Sequence, residues 1–511
     1  MTIAEPHVLE PGRRALVTFA VMLAVFMQVL DTTIANVALP HMQAALGATQ
    51  ETVNWVLTSY IVASAIAIPI AGWLADRIGR KRLLVLSAIG FTLASLLCAI
   101  ATSLPEMVLF RALQGVSGAF LVPLAQATLF DITPKEKHPS AMALFGGGLM
   151  IGPILGPVLG GWLTDSFDWR FVFLVNLPVG GLAAAMLWRF MPAIELSRRR
   201  FDLFGFGLIA IALGALQMML DRGQQLDWFE STEIWIELGL TIAAFWMFTV
   251  HIVTAREPLF DRAMFRDRNF VTGLLFMMVT GLLMLAGLAL LPPLLQQLYG
   301  YSVFQSGELT APRGVGTLIS IAIAGKLSQR IDTRLLVGLG MGFMGLSLYL
   351  MTGFALVQPA RPVIVSGIIQ GLGLGILMVT IQSLSFATLT PKFRTAGSSL
   401  LNLSRNIGGS IGISVVTSLL VRNIQTAHAD IGAHVTDQTL PTNFAPLVEQ
   451  MGLPAQSALA LVNAEVTRQA AFIAYLDDFK LMMWVTIAAI PLVFLLRPAK
   501  KGEKQEMVLA D

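Results

Sequence analysis

The chain has 511 residues, of which 55% are hydrophobic and 13% charged, with a formal net charge of +3. Its mean hydropathy is +0.73. A soluble globular protein of this length could not hide so much apolar surface, and so small a net charge gives no sign of a nucleic-acid partner. Apolar runs recur at the length needed to cross a bilayer core, ~20 residues as a helix. The stretches Pro139–Thr164, Leu335–Ala360 and Pro362–Pro391 contain no charge at all. The expected fold class is an all-α polytopic membrane protein.

Read in chain order against turn and charge signals, the runs predict helices over 15–39, 52–75, 83–103, 105–129, 141–164, 171–191, 203–221, 234–254, 270–293, 309–326, 335–356, 362–389, 397–421 and 479–497. Fourteen spans put both termini on one side. Most Lys and Arg fall on that side, including Arg80, Lys81, Arg82, Arg198, Arg199 and Arg200, which by the positive-inside rule is cytoplasmic. The run after Arg13 and Arg14 is too long for a signal peptide and is expected to stay as the first span. The single cysteine, Cys98, rules out an intrachain disulfide or a cysteine-based metal site. The six histidines are scattered over tails and span edges, so no metal site is expected.

The chain repeats itself. AGWLADRIGRKRLL (Ala71–Leu84) returns as AGKLSQRIDTRLL (Ala324–Leu336), Gln114-Gly115 as Gln370-Gly371, and Thr133-Pro134-Lys135 as Thr390-Pro391-Lys392, at offsets of 253, 256 and 257 residues. This predicts two related six-helix bundles, 15–191 and 270–497, with two inserted helices over 203–254. Cytoplasmic linkers over 192–202 and 255–269, an external segment over 422–478 and cytoplasmic tails over 1–14 and 498–511 complete the division. Parallel repeats of this kind build many secondary transporters, with the substrate site near the midplane between the halves. No phosphate-binding loop is present, so no nucleotide or other cofactor is expected.

Asp31, in LDTTIANVALP (Leu30–Pro40), is the one acid deep in a predicted span. An ionised carboxylate there costs several kcal/mol, and the default reading is function. Helix rise puts Asp31 and Arg111 at a common depth, ~20 Å above the inner edge. Sequence does not fix whether they touch. In GWLADRIGRKR (Gly72–Arg82), Gly72 suits close helix approach and Gly79 a tight turn, while Asp76 can cap or pair with Arg77 and Arg80 as a charge latch. Gly148, Gly152, Gly156 and Gly160 recur every four residues in one helix with Pro153, a smooth face that bends. Gln28, Asn36, Gln114 and Gln126 are candidates for lining a cavity. Arg405, at the position equivalent to Gly148, faces either the cavity or a cytoplasmic gate.

Gly72–Arg82, RALQGVSGA (Arg111–Ala119), GGGLMIGPILGPVLGG (Gly146–Gly161) and LDTTIANVALP resemble motifs of the major facilitator superfamily. The first-helix and fifth-helix motifs together resemble the fourteen-span drug:proton antiporters of the EmrB/QacA type, from Leu16 to Arg497. That resemblance implies a multidrug efflux antiporter of the bacterial inner membrane, driven by the proton gradient and exporting hydrophobic small molecules. Asp31 would take the proton, with Arg111 tuning it; contact of Asp31 with a cationic substrate is the competing role. It also implies a periplasmic adaptor and an outer-membrane channel as partners, with 422–478 as a docking surface, a lid or a mobile loop. The other functional reading is a proton-coupled exporter or importer of a specific metabolite, lipid or siderophore.

Overall fold

A computed structural model describes residues 9–134, 137–192, 200–328, 330–435 and 455–496. It is all-helical among these residues, as the bilayer requires of backbone whose polar groups must be satisfied within the segment. In the first part of the chain the helices are α1 (Pro11–Ala45), α2 (Trp55–Ala67), α3 (Ala71–Ile78), α4 (Arg80–Ile100), α5 (Leu104–Gly118), α6 (Leu121–Ile132), α7 (His138–Ser166) and α8 (Asn176–Phe190). There follow α9 (Leu203–Arg222) and α10 (Thr232–Thr254), and then α11 (Arg268–Pro293), α12 (Val303–Leu327), α13 (Thr333–Thr352), α14 (Arg361–Ala387), α15 (Arg394–Ala433) and α16 (Ala455–Ala489).

Local chemistry starts these helices where the hydropathy steps. Proline occupies the first turn of α1, α5, α7 and α14, where its missing N–H is no loss. Asp202, Asp267 and Asp332 cap α9, α11 and α13 through their carboxylates, and Ser302 with Gln305 forms a capping box at α12.

Twelve helical segments among the described residues are long and apolar enough to cross a membrane. Helices α7 and α12 pack against each other and against α1 and α14 respectively. The pairing of the first helices recurs in the last: α1 packs on α7 as α11 packs on α15, and α2 packs on α5 as α12 packs on α14. Between the two sets, α7 meets α12 and α14, while α3 and α6 meet α15.

Two predicted boundaries are corrected. The helix expected over 397–421 continues to Ala433, and the one expected over 479–497 is part of a helix that already runs from Ala455 to Ala489 before a short 3-10 turn. Residues 455–478, expected to belong to the external segment, are thus the start of the last helix. Hydropathy measures the bilayer, and these helices outrun it. Residues 436–454 of the expected external segment, 193–199 of the linker, 1–8 of the first tail and all of the tail over 498–511 lie outside the described residues.

The inserted pair is asymmetrically placed. Helix α10 packs chiefly on α9 and exposes large apolar side chains such as Trp246 and Val253. Helix α9 touches both sets. On one side, Asp221 accepts from Thr58 of α2 and Gly214 faces Ile66. On the other, Ser410 donates to Gln217 at 2.9 Å and Ser414 to the Leu220 carbonyl at 2.8 Å, while Trp228 donates to Ser418 at 2.7 Å.

Candidate functional site

Asp31 on α1 and Arg111 on α5 do touch. Arg111 Nη1 lies 2.7 Å from Asp31 Oδ2, and each residue is 1% exposed. Ionising two groups in such a place is costly, and only a well-bonded geometry offsets it. Here the bonding is dense. Asp31 Oδ1 accepts from Gln114 Nε2 at 2.8 Å and from Asn176 Nδ2 at 2.7 Å. Ser95 Oγ accepts from both amides, at 2.7 and 3.1 Å. Arg111 donates further to Gln114 Oε1 at 2.6 Å and to the Val56 carbonyl at 3.1 Å. Its guanidinium stacks over the Tyr60 ring, 4.4 Å from the centroid, a cation–π contact that counts most when desolvated.

Five helices or helix ends converge on this centre, and sequence reading found only part of it. Gln114, expected to line a cavity, is instead fully buried inside the charge network. Ser95 and Asn176 were missed: a serine in an apolar helix and an asparagine at a helix start carry no signal that separates them from ordinary packing and capping. Gln28 lies beside the centre, its amide 3.4 Å from the Tyr60 hydroxyl. Asn36 is exposed and bonded to Thr32 of its own helix.

The glycine stripe of α7 seats the helix that carries Asp31. A Cβ on Gly152 would meet Val29, one on Gly156 would meet Thr33, and one on Gly160 would meet Val37 and Ile34. Thr33 also donates to the Gly152 carbonyl at 3.2 Å. Gly148 faces the tip of Met22, and Pro153 lies within the same helix. The stripe is therefore a close-packed face against α1, and Gly152 and Gly156 meet it within one turn of the buried carboxylate on either side.

At the end of the bundle that carries Gly72–Arg82, ion pairs and close packing join the two helix sets. Gly72 sits against Ala396 of α15, where a Cβ would lie 3.1 Å from that of Ala396. Arg80 pairs with Asp131 and donates to Thr395 at 2.8 Å, while Arg394 pairs with the other oxygen of Asp131 at 2.7 Å. The acid that holds Arg80 is thus Asp131, which sequence reading passed over, because an acid at a helix end beside a basic cluster looks like a solvated loop residue. Asp76 lines a small cleft with Gly72, Lys392 and Thr395, and Arg77 is exposed. Gln126, buried at 1% exposure, adds a second cross-link by accepting from Ser398 at 2.5 Å and Asn402 at 3.1 Å. Arg405 lies half-buried on α15, where that helix crosses Gly281.

Gly79 joins α3 to α4 at φ 90° and ψ 137°, a backbone region in which an L side chain is strained. Gly79→Ala is expected to destabilise the protein by about 1–3 kcal/mol. Thermal unfolding in detergent checks this, and an unchanged melting temperature would mean that the turn relaxes.

No group of His, Cys, Asp and Glu able to hold a metal occurs among the described residues. The arrangement is that of a membrane transporter: a helical bundle with an internal repeat, a buried charge centre and an end where ion pairs join the two helix sets. The family described as Major Facilitator Superfamily matches residues 21–413. The chain belongs to the major facilitator superfamily, among its EmrB-like permeases. It is 33% identical over 502 residues to the multidrug export protein EmrB of Escherichia coli (strain K12), covering 96% of each chain. It is 36% identical over 495 residues to the fatty acid resistance protein FarB of Neisseria gonorrhoeae, covering 96% of this chain and 97% of that one. Among solved structures, the human organic anion transporter MFSD10 (TETRAN) superposes with a TM-score of 0.58 at 16% identity, over 94% of this chain and 100% of that one. The proton:xylose symporter XylE does so with a TM-score of 0.60 at 13% identity, over 94% and 97%. These two likenesses speak to the fold.

Proposed function

We propose that the chain is a proton-coupled multidrug antiporter that exports hydrophobic or amphipathic compounds by alternating access. It would sit in the bacterial inner membrane with fourteen spans, two six-helix bundles and an inserted pair, both termini cytoplasmic. The observation that carries the reading is the buried Asp31–Arg111 centre. Relatives named for multidrug export over nearly the whole chain support the substrate class.

A buried carboxylate gains proton affinity by desolvation and loses it beside a guanidinium. Protonating Asp31 in the arrangement seen here would leave Arg111 buried beside a neutral acid. That state is unfavourable, so protonation favours whichever conformer gives Arg111 water or another partner. Proton binding thereby becomes a conformational step. The glycine stripe lets α1 shift against α7, and the Asp131 latch opens when the bundles rock. Each proton moving inward yields about 2.3 kcal/mol per 100 mV of membrane potential, which drives extrusion with no cofactor. Both oxygens of Asp31 are already engaged by Arg111, Gln114 and Asn176, and this favours coupling over direct contact with a cationic substrate. Partnership with a periplasmic adaptor and an outer-membrane channel, through residues 422–478, belongs to the same proposal.

The test is reconstitution in liposomes with a trapped pH dye and an imposed proton gradient. Addition of a lipophilic drug is expected to start proton flux in protein-containing vesicles alone. Drug movement with no proton flux would remove the coupling.

A further inference from the structure

The second helix set contains its own buried polar cluster, and the packing fixes its relation to the first. Gly115 of α5 seats on the backbone of Tyr60, and Gly371 of α14 seats on the backbone of Arg313. Gly152 of α7 seats on Val29, and Gly409 of α15 on Leu285. Tyr60 and Arg313 are therefore counterparts, as are Gln114 and Gln370. The 256-residue offset between the last two also carries Val29 to Leu285, Asp31 to Gly287 and Arg111 to Gly367. The second half keeps a guanidinium and a carboxamide but has glycine where the first half has its carboxylate.

The consequence is a cation without an anion. Arg313 is 8% exposed and Gln370 1% exposed. Arg313 makes no ion pair among the described residues, and its bond to the Met284 carbonyl is long, at 3.4 Å. Both the nitrogen and the oxygen of the Gln370 amide are buried without a partner. A Cβ on Gly287 would lie 3.5 Å from Arg313 Nη1, 3.5 Å from Gln370 Nε2 and 3.8 Å from Arg313 Nη2. Three nitrogen donors thus converge on the place where the first half holds a carboxylate. A buried guanidinium left uncompensated is costly, and its planar fork matches a carboxylate in two-point contact.

We propose that Arg313, Gln370 and the bare Gly287 form a binding site for a carboxylate supplied by a ligand. The anionic head takes the place that the Asp31 side chain fills in the other half. The head belongs either to an amphipathic acid or to a small free carboxylate. The proposal deepens the export reading by naming a substrate class, and it rests on that reading for transport but not for binding.

Binding of decanoate, decanol and acetate to the full chain in lipid nanodiscs, measured by calorimetry, tests it. Decanoate is expected to bind at least about tenfold more tightly than decanol, the loss of charge-assisted bonds setting the scale. R313Q and G287D are both expected to lose that preference. G287D keeps the arginine and adds a side chain whose Cβ makes only ordinary contacts, so it serves where R313Q fails to fold. Acetate competing with affinity near that of decanoate assigns a small free carboxylate, and acetate failing to compete assigns the head of an amphipath. Equal binding of decanoate and decanol, or decanoate binding by G287D as by the parent, overturns the site. Drug-driven proton flux without decanoate binding would end this inference and leave the export reading intact; the converse would do the reverse.

Discussion

Asp31→Asn is expected to abolish drug-dependent proton flux in liposomes while drug binding to the same preparation persists. Asparagine occupies the same volume but cannot carry the proton, and it presents an N–H₂ to neighbours that already donate, Gln114 and Asn176. Removing one partner of a buried pair costs about 3–5 kcal/mol, so the variant should also melt earlier in detergent. That loss falls on the conformer described here, in which Arg111 is 1% exposed. Flux equal to the parent's would return Asp31 to a structural role and put the proton path elsewhere.

Asp131→Asn is expected to loosen the latched end. One carboxylate serves two guanidiniums from opposite helix sets, Arg80 and Arg394. Without its charge the two cations face each other across the contact between Gly72 and Ala396. Hydrogen bonds to charged groups contribute about 1.5–3 kcal/mol each, and 1.4 kcal/mol is a factor of ten in a population, so the open form should rise by about tenfold or more. Paired spin labels on cysteines placed at Arg82 and Lys392, both exposed, would read the change as a new long-distance population. Cys98 is fully buried and should not compete for label. An unchanged distance distribution would mean that packing at Gly72 and the Gln126 bonds hold this end closed.

The helices were legible because the bilayer imposes a length on apolar runs, and every predicted run has a helix in the structure. Helix ends were less so. Nothing in hydropathy says that α15 carries on to Ala433 once it has left the apolar phase. Depth along a helix follows from counting, which is why Asp31 and Arg111 were placed together. Rotation about the helix axis does not follow, and the contact itself, with Ser95 and Asn176, needed coordinates. Asp131 shows the opposite error: its type and position looked ordinary, and its importance comes from Arg394, which lies 263 residues away in the chain. The repeat was visible as three short echoes, yet its chemical asymmetry was not. That asymmetry rests on pairing Asp31 with Gly287, and the echoes do not reach those helices.

Helix α9 has a further consequence for how molecules dissolved in the bilayer meet this protein. Two flanks separate the helix sets, one between α2 and α15, the other between α7 and α12. The first is roofed by α9, stitched to both walls by hydroxyl and carboxylate bonds, with α10 as an outer fender. A lipid-borne molecule arriving there meets protein two helices deep. At the other flank α7 and α12 pack directly on each other, so the two flanks are closed by different means, and a body that looks pseudo-symmetric from above has a front and a back.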